Sequence, residues 1–289
     1  MLLTQPPSSR PMPDLGAVRE ASAAITAAHL FIYLAPEAAE EATAFGVTDR
    51  QAVYFAFRSA ALGAVPWQVT LATFYNFPPQ KVQSMDGVWD AAAPEQWQAA
   101  RFRAAARAMQ RVGVHLTTDE IAHARSLIDP VVDGADYAGK TMAAANASLA
   151  LPSDPLLALW QQITVLREWR GDAHFLVLAG HHLGASDCNV IDAATGRLPT
   201  PLVRATRGFT DEQWSAATAR LVARGWLNPD GTVTHAGTTA REQIEIETDK
   251  RCAALWAPIG GAGARRFASL IAPINHAFTA AGTYELLRS

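Results

Sequence analysis

The chain has 289 residues, of which 49% are hydrophobic and only 18% charged, with a formal net charge of −3. That length holds two modest domains or one large one with a substantial core, and so little charge implies helices that are buried over most of their circumference or face a partner subunit. The balance argues against a broadly basic nucleic-acid binder, and no apolar run approaches the roughly 20 residues that cross a bilayer.

Met1 to Asp14 is rich in Pro and Ser and lacks the apolar stretch of a secretory signal, so residues 1–14 read as a flexible arm. Cys188 and Cys252 cannot form a disulfide framework and lack zinc-finger spacing. The expected protein is cytoplasmic, with no membrane contact. From there helical signals repeat. A first helix spans about Leu15 to Leu34 and is stopped by Pro36; Thr48 with Gln51 caps a second, to about Leu62. Pro66 opens a third that halts at Pro78-Pro79, and Pro94 starts a fourth, to about Val112. Thr117 with Glu120 caps a fifth, ended by Pro130; a sixth covers Gly134 to Ala150. Ser153-Asp-Pro155 starts a long seventh, ending near Gly180, and Ser186 caps a short one stopped by Gly196.

The next block is the most specific. Thr200-Pro201 opens a short helix that stops at Gly208; Thr210 and Gln213 form a capping box; the helix they start ends at Gly225. Trp226-Leu227, the turn Asn228-Pro-Asp-Gly231 and Thr232-Val-Thr234 then predict a two-stranded wing over about 226–235, followed by a long helix through Ile244 and Leu255. A tail helix covers about Ala264 to Ala280. The expectation is an all-α protein, mainly a helical bundle, with this small β-wing: a helical domain over 15–150, then a helical and winged-helix domain over 151–289. Residues 204–251 hold seven Lys/Arg and seven Asp/Glu, so the winged helix carries no net charge. DNA is therefore a disfavoured partner, with Arg220 and Arg224 as the candidate contacts.

Several apolar helices carry one thin polar stripe each. On the first it is Ser22, Thr26, His29 and Tyr33; the second contributes Tyr54 and Arg58, the third Thr70, Thr73 and Asn76. On the seventh, Arg167, Arg170, His174 and His181 share a face, with Glu168 and Asp172 on another. A bundle that buries its apolar faces brings such stripes to a common interior, so His29, Tyr33, Tyr54, Arg58, Asn76, Arg170 and His174 are the candidate ligand-binding residues. The competing reading is a set of satisfied core side chains, with Arg170 and His174 in a structural ion-pair network.

Catalytic candidates are His29 or His174 as general acid/base, with Asp172, Tyr33 or Tyr54 as orienting group. An axial haem histidine at either position is the one cofactor option, without a C-x-x-C-H motif to support it. No metal is expected, since His181, His182, Asp187 and Cys188 match no ligand spacing. Phosphate loops and the standard nucleophile motifs are absent.

Residues Arg204 to Asp249 resemble the winged helix of MarR-type regulators, with Asp211 to Arg224 in the position of the recognition helix. More widely, Tyr54-Phe-Ala-Phe-Arg-Ser-Ala-Ala-Leu-Gly63, Thr73-Phe-Tyr-Asn-Phe77, Leu166-Arg-Glu-Trp-Arg-Gly-Asp-Ala-His174 and Ile244-Glu-Ile-Glu-Thr-Asp249 resemble an actinobacterial helix-turn-helix family. The resemblance implies a regulatory fold and a homodimer through terminal helices. It brings no reaction and no ligand. A small-molecule-binding regulator on this scaffold is the leading expectation, with an enzyme using the same pocket as the alternative.

Overall fold

The computed structural model describes residues 12–285. Helix α1 (Leu15–Leu30) is capped by Asp14, whose Oδ1 accepts the Ala17 N–H at 2.9 Å, and runs on as a 3₁₀ turn to Tyr33. Pro36 does more than stop it. As the first residue of α2 (Pro36–Thr43), where its missing N–H costs nothing, it opens a helix that the sequence reading passed over. Helix α3 (Arg50–Ser59) is capped by Asp49, one residue after the expected Thr48, because Asp49 Oδ1 reaches the Gln51 N–H at 2.9 Å.

Helix α4 (Trp67–Phe74) ends at Tyr75, whose φ of 58° is uncommon for a side-chain-bearing residue. Its surroundings hold it there: the hydroxyl donates to the Leu183 carbonyl at 2.5 Å and the ring stacks on Phe175. Two single-turn helices follow, α5 (Pro79–Val82) and α6 (Val88–Ala91), then α7 (Pro94–Arg111) and α8 (Thr118–Asp133). Pro130 lies inside α8 and does not end it; only the last turn remains, so one intrahelical bond is forfeited. Helix α9 (Thr141–Ala147) is shorter than the expected span.

The axis of the molecule is α10 (Pro155–Gly180), 26 residues long and buried along most of its length. After α11 (Ala185–Ala194), α12 (Thr200–Arg207) ends at left-handed Gly208 and α13 (Asp211–Ala223) starts on the predicted Thr210–Gln213 capping box. The two-stranded wing does not form. What remains is one antiparallel bridge, Leu227 to Val233, around the tight turn Asn228–Thr232. Pro229 has no N–H to donate, and Asp230 Oδ1 takes both the backbone and the hydroxyl of Thr232, so the turn consumes the residues that would lengthen the strands. Helix α14 (His235–Trp256) starts on the Thr234 cap, and α15 (Gly260–Ala280) closes the fold one turn earlier than expected.

Two apolar clusters result. The larger joins α1 to α10 and α15, and α2 to α7, around fully buried Trp97, Trp160, Trp256, Phe31 and Phe278. At about 1.5–3 kcal/mol per large buried side chain, this cluster supplies most of the driving force for folding. The smaller is the core of the helix-turn-helix module: Val177 and Leu178 from the end of α10 meet Ile191, Ala217, Leu221, Leu227 and Ile244. At Gly237, on the first turn of α14, a Cβ would sit 2.1 Å from the Trp226 carbonyl oxygen, so only glycine lets the helix start against the bridge.

Candidate functional site

Four of the predicted residues meet in one buried polar cluster. Glu168, on α10, accepts from Arg58 Nε at 3.1 Å and Nη2 at 3.0 Å, and from Arg167 Nη1 at 2.8 Å. Arg58 Nη1 donates to the Tyr54 hydroxyl at 3.1 Å, and its guanidinium lies 4.1 Å above the Phe74 ring. The Tyr54 and Tyr33 rings meet edge to face, and Tyr33 Oη is 3.0 Å from His29 Nε2. On the other side His29 Nδ1 is 3.1 Å from Thr164 Oγ1, while the ring stacks on Trp160. Thr164 donates its own proton to the Trp160 carbonyl, so Nδ1 must be the protonated nitrogen and Nε2 the acceptor from Tyr33. With both nitrogens engaged, His29 has none to offer an iron.

The electrostatics follow from burial. His29 is held well below its ordinary pKa by desolvation, then by the Arg167 and Arg101 charges, so it is neutral. Desolvation also pushes the Tyr33 phenol up to about 12. For Glu168, burial works upward, but Arg167 and Arg58 outweigh it and hold the carboxyl far below the usual range.

His174 does not join this cluster. It faces α14, where Nδ1 lies 2.9 Å from Thr248 Oγ1 and 4.0 Å from Glu245. Glu245 is the hub of an ion-pair network, with Arg170 at 2.9 Å, Arg241 at 2.8 Å and Arg197 at 3.3 Å; Arg241 also pairs with Asp192. Burial, opposed by Glu245 and aided by Arg241 and Arg170, brings His174 down to about 3. Burial raises Glu245, yet the network holds it at about 2. Asp172 orients neither histidine. It accepts the Ala143 N–H at the start of α9, and desolvation lifts its pKa to about 6. Arg170 and His174 thus occupy the structural network that the sequence left as the competing reading.

That network also forms one wall of a cavity of about 600 Å³. Arg19, Ser22, Thr26 and Leu30 of α1 line it together with Arg170, Arg197, Glu242, Glu245 and Tyr284. Ser22 Oγ and Arg170 Nε are buried without a hydrogen-bond partner. Half of the predicted stripe on α1 and one residue of the stripe on α10 therefore share a pocket, and His29 and Tyr33 belong to the closed cluster instead. Asn76 stands apart from both; its carbonyl accepts from Asn189 of α11 at 3.0 Å.

The helix-turn-helix element is turned in on its own protein. Arg220 donates to Asp187 at 2.7 Å and to Ser186, pinning α13 on α11, while Arg224 takes the His181 and His182 carbonyls at the end of α10 and covers Trp226. At its other end Gln213 is held by Gln80 of α5 at 3.1 Å. The exposed positions of α13 are Asp211, Glu212, Ser215, Ala216, Ala219, Arg220 and Ala223, and the Arg220 side chain stays about half exposed beside Asp187. His181 pairs with Glu247 and Cys188 is buried, so the metal ligands weighed from sequence are dispersed; among the described residues no cluster of three or more ligating side chains exists. No helix among the described residues is long and apolar enough to cross a membrane.

A helix–turn–helix of α12, Gly208 and α13, set on a helical body, defines a class, and the comparison with known families agrees. The chain belongs to the Helix-turn-helix family, whose model matches residues 18–285. No curated protein and no solved structure matches it.

Sequence reasoning missed Arg101, Thr164 and the acids of the two networks. A signal existed for Arg101. It shares the i, i+4, i+7, i+11 face of α7 with Trp97, Ala104 and Ala108, all fully buried, so an arginine there needs partners inside.

Proposed function

We propose that this protein is a small-molecule-responsive regulator on a MarR-like helix-turn-helix scaffold, acting as a homodimer, with the effector bound in the cavity between α1, α10 and α14. The observation that carries this reading is the position of the cavity. One wall, through Arg19, Ser22 and Thr26, belongs to the helical body. The other, through Arg197 and Glu245, lies on the segment before α12 and on the helix after the bridge. A ligand touching both walls changes the free energy of any rearrangement between body and module, which is the requirement for an allosteric effector.

The lining predicts the ligand chemistry. Arg19, Arg170 and Arg197 face Glu242 and Glu245, and Ala23, Ala27 and Leu30 add an apolar strip, so the effector is a polar molecule with both donors and acceptors and a small apolar part. Ala23 is exposed and lines the cavity, so Ala23→Trp fills the space without disturbing the core. Native mass spectrometry of the protein as purified, followed by a thermal-shift screen of polar metabolites, tests the reading. The expected result is a ligand that raises Tm of the wild type and leaves Ala23→Trp unmoved. Equal shifts in both proteins, or none across the screen and no co-purified mass, would sink it. Light scattering on the same sample reads the homodimer.

A further inference from the structure

The walls of the cavity between α1, α10 and α14 are balanced in charge but incompletely hydrogen-bonded. Arg19, Arg170 and Arg197 line it, and each is paired: Arg19 with Glu242 and Asp249, Arg170 and Arg197 with Glu245. Three cations meet three carboxylates, so the site presents both signs without a net charge. Arg241 and Asp192, beside Glu245, cancel each other. Arg170 donates to Glu245 through Nη2, and its Nε is buried with no partner. Ser22 Oγ, on a residue 3% exposed, is likewise unpartnered. Glu242 is the complementary case: Oε1 takes Arg19 at 3.1 Å and the side chain is half exposed, which leaves Oε2 to accept.

The lining changes character along α1. Arg19, Ser22, Ala23, Thr26, Ala27 and Leu30 recur at helical spacing over roughly 16 Å. At the start of this stripe Arg19 meets Glu242; toward its end Tyr284 donates to the Ala27 carbonyl at 2.8 Å and Leu30 adds an apolar wall. Glu242 and Glu245 are neighbours on one face of α14, about 5–6 Å apart, and Arg170 lies 2.9 Å from Glu245. The free donor of Arg170 and the free oxygen of Glu242 therefore belong to one charged end, with an apolar strip leading away from it. At about 600 Å³ the cavity has the size of an ordinary small-molecule site.

Resting on the reading of this cavity as the effector site, we propose that its ligand is a zwitterionic amino acid with a large apolar side chain. The carboxylate accepts from Arg170 Nε and the Ser22 hydroxyl, the ammonium donates to Glu242 Oε2, and the side chain lies along Ala23, Ala27 and Leu30. Hydrogen bonds to ionised groups are roughly twice as strong as neutral ones, so a ligand carrying both charges gains more from these walls than an uncharged polar molecule of the same size. A ligand of one sign leaves one of the free groups unmatched and adds a net charge to a balanced site.

The test is thermal shift and isothermal titration on the full chain at neutral pH and constant ionic strength. The probes are L-leucine and L-phenylalanine, each beside its deaminated acid (isocaproate, hydrocinnamate) and its decarboxylated amine (isoamylamine, phenethylamine), with glycine as the control without a tail. The expected result is a saturable rise in Tm for at least one of the two amino acids, about 4 °C at a concentration roughly a hundredfold above Kd. Its acid and its amine should bind roughly tenfold more weakly or worse. Glu242→Gln and Ser22→Ala should each weaken binding about tenfold, and Ser22→Ala, which removes a hydroxyl with no partner, should do so without lowering the Tm of the free protein. An acid, an amine or glycine that binds as tightly as the amino acid overturns the proposal, as does unaltered affinity in both variants. No response to either amino acid overturns it too. In that case a metabolite of another class that still separates the wild type from Ala23→Trp leaves the effector reading standing, and the lack of any such ligand removes both.

Discussion

At the residue scale, Glu168 carries the largest local consequence. It is the acid shared by Arg58 and Arg167 inside the body, so neutralising it leaves both cations uncompensated. Glu168→Gln should cost about 3–5 kcal/mol, read as a lower urea midpoint, and Arg58→Met should cost less when combined with it than alone, because the pair is coupled. An additive double variant would show that the two do not act as a pair. His174 offers a second test with a defined sign. Its folded pKa of about 3 lies below the ordinary 6.5, so the unfolded chain binds the extra proton and stability is lost as pH falls from 6.5 toward 3. His174→Asn should remove about 1.4 kcal/mol per pH unit from that slope, measured by urea unfolding between pH 4.5 and 6.5. Asp172, lifted to about 6, contributes with the opposite sign in part of this window, so the difference between variant and wild type is the quantity to read. Equal slopes in the two proteins would show that His174 charges in the folded state.

At the scale of elements, α13 bears on the DNA question. The two arginines that resemblance places on a recognition helix, though exposed, are paired with Asp187 and with the end of α10, and the other exposed positions of α13 are acidic or small. Affinity for random duplex at physiological salt should therefore be no tighter than about 100 µM, and Arg220→Ala or Arg224→Ala should leave it unchanged. Fluorescence anisotropy across a salt series checks this; micromolar binding that weakens steeply with salt would overturn it. Local signals made the elements legible. The Thr117–Glu120 and Thr210–Gln213 boxes and the stops at Gly208 and Gly225 fall where capping chemistry places them, because those bonds close within four residues. The wing was over-read, since a turn sequence specifies the reversal but not how far the pairing extends beyond it. Convergence of side chains was only partly legible. The α1 stripe separates, with Ser22 and Thr26 facing one cavity and His29 and Tyr33 facing Glu168, and a helical wheel does not say which neighbour each edge of a stripe will meet.

At the scale of the whole molecule, the body and the helix-turn-helix module have separate apolar cores but share two helices, α10 and α14. Sequence periodicity identified both as long helices. It did not show that they form the joint, because that depends on the crossing pairs Arg170–Glu245 and His174–Thr248, separated by about 75 residues. The missing side chain at Gly237 gives this joint a mechanical character. With the Trp226 carbonyl lodged where a Cβ would be, the bridge and the first turn of α14 have no play between them, and they move as one piece. Helix α14 is then a lever of 22 residues, roughly 33 Å long, with Glu245 near its middle and the module clamped to its first turn. A tilt of roughly 5° about the Glu245 pivot shifts each end by a little over 1 Å. That stroke is large compared with the tolerance of a packed core, so under the proposed function a polar molecule arriving beside Glu245 would displace the helix-turn-helix.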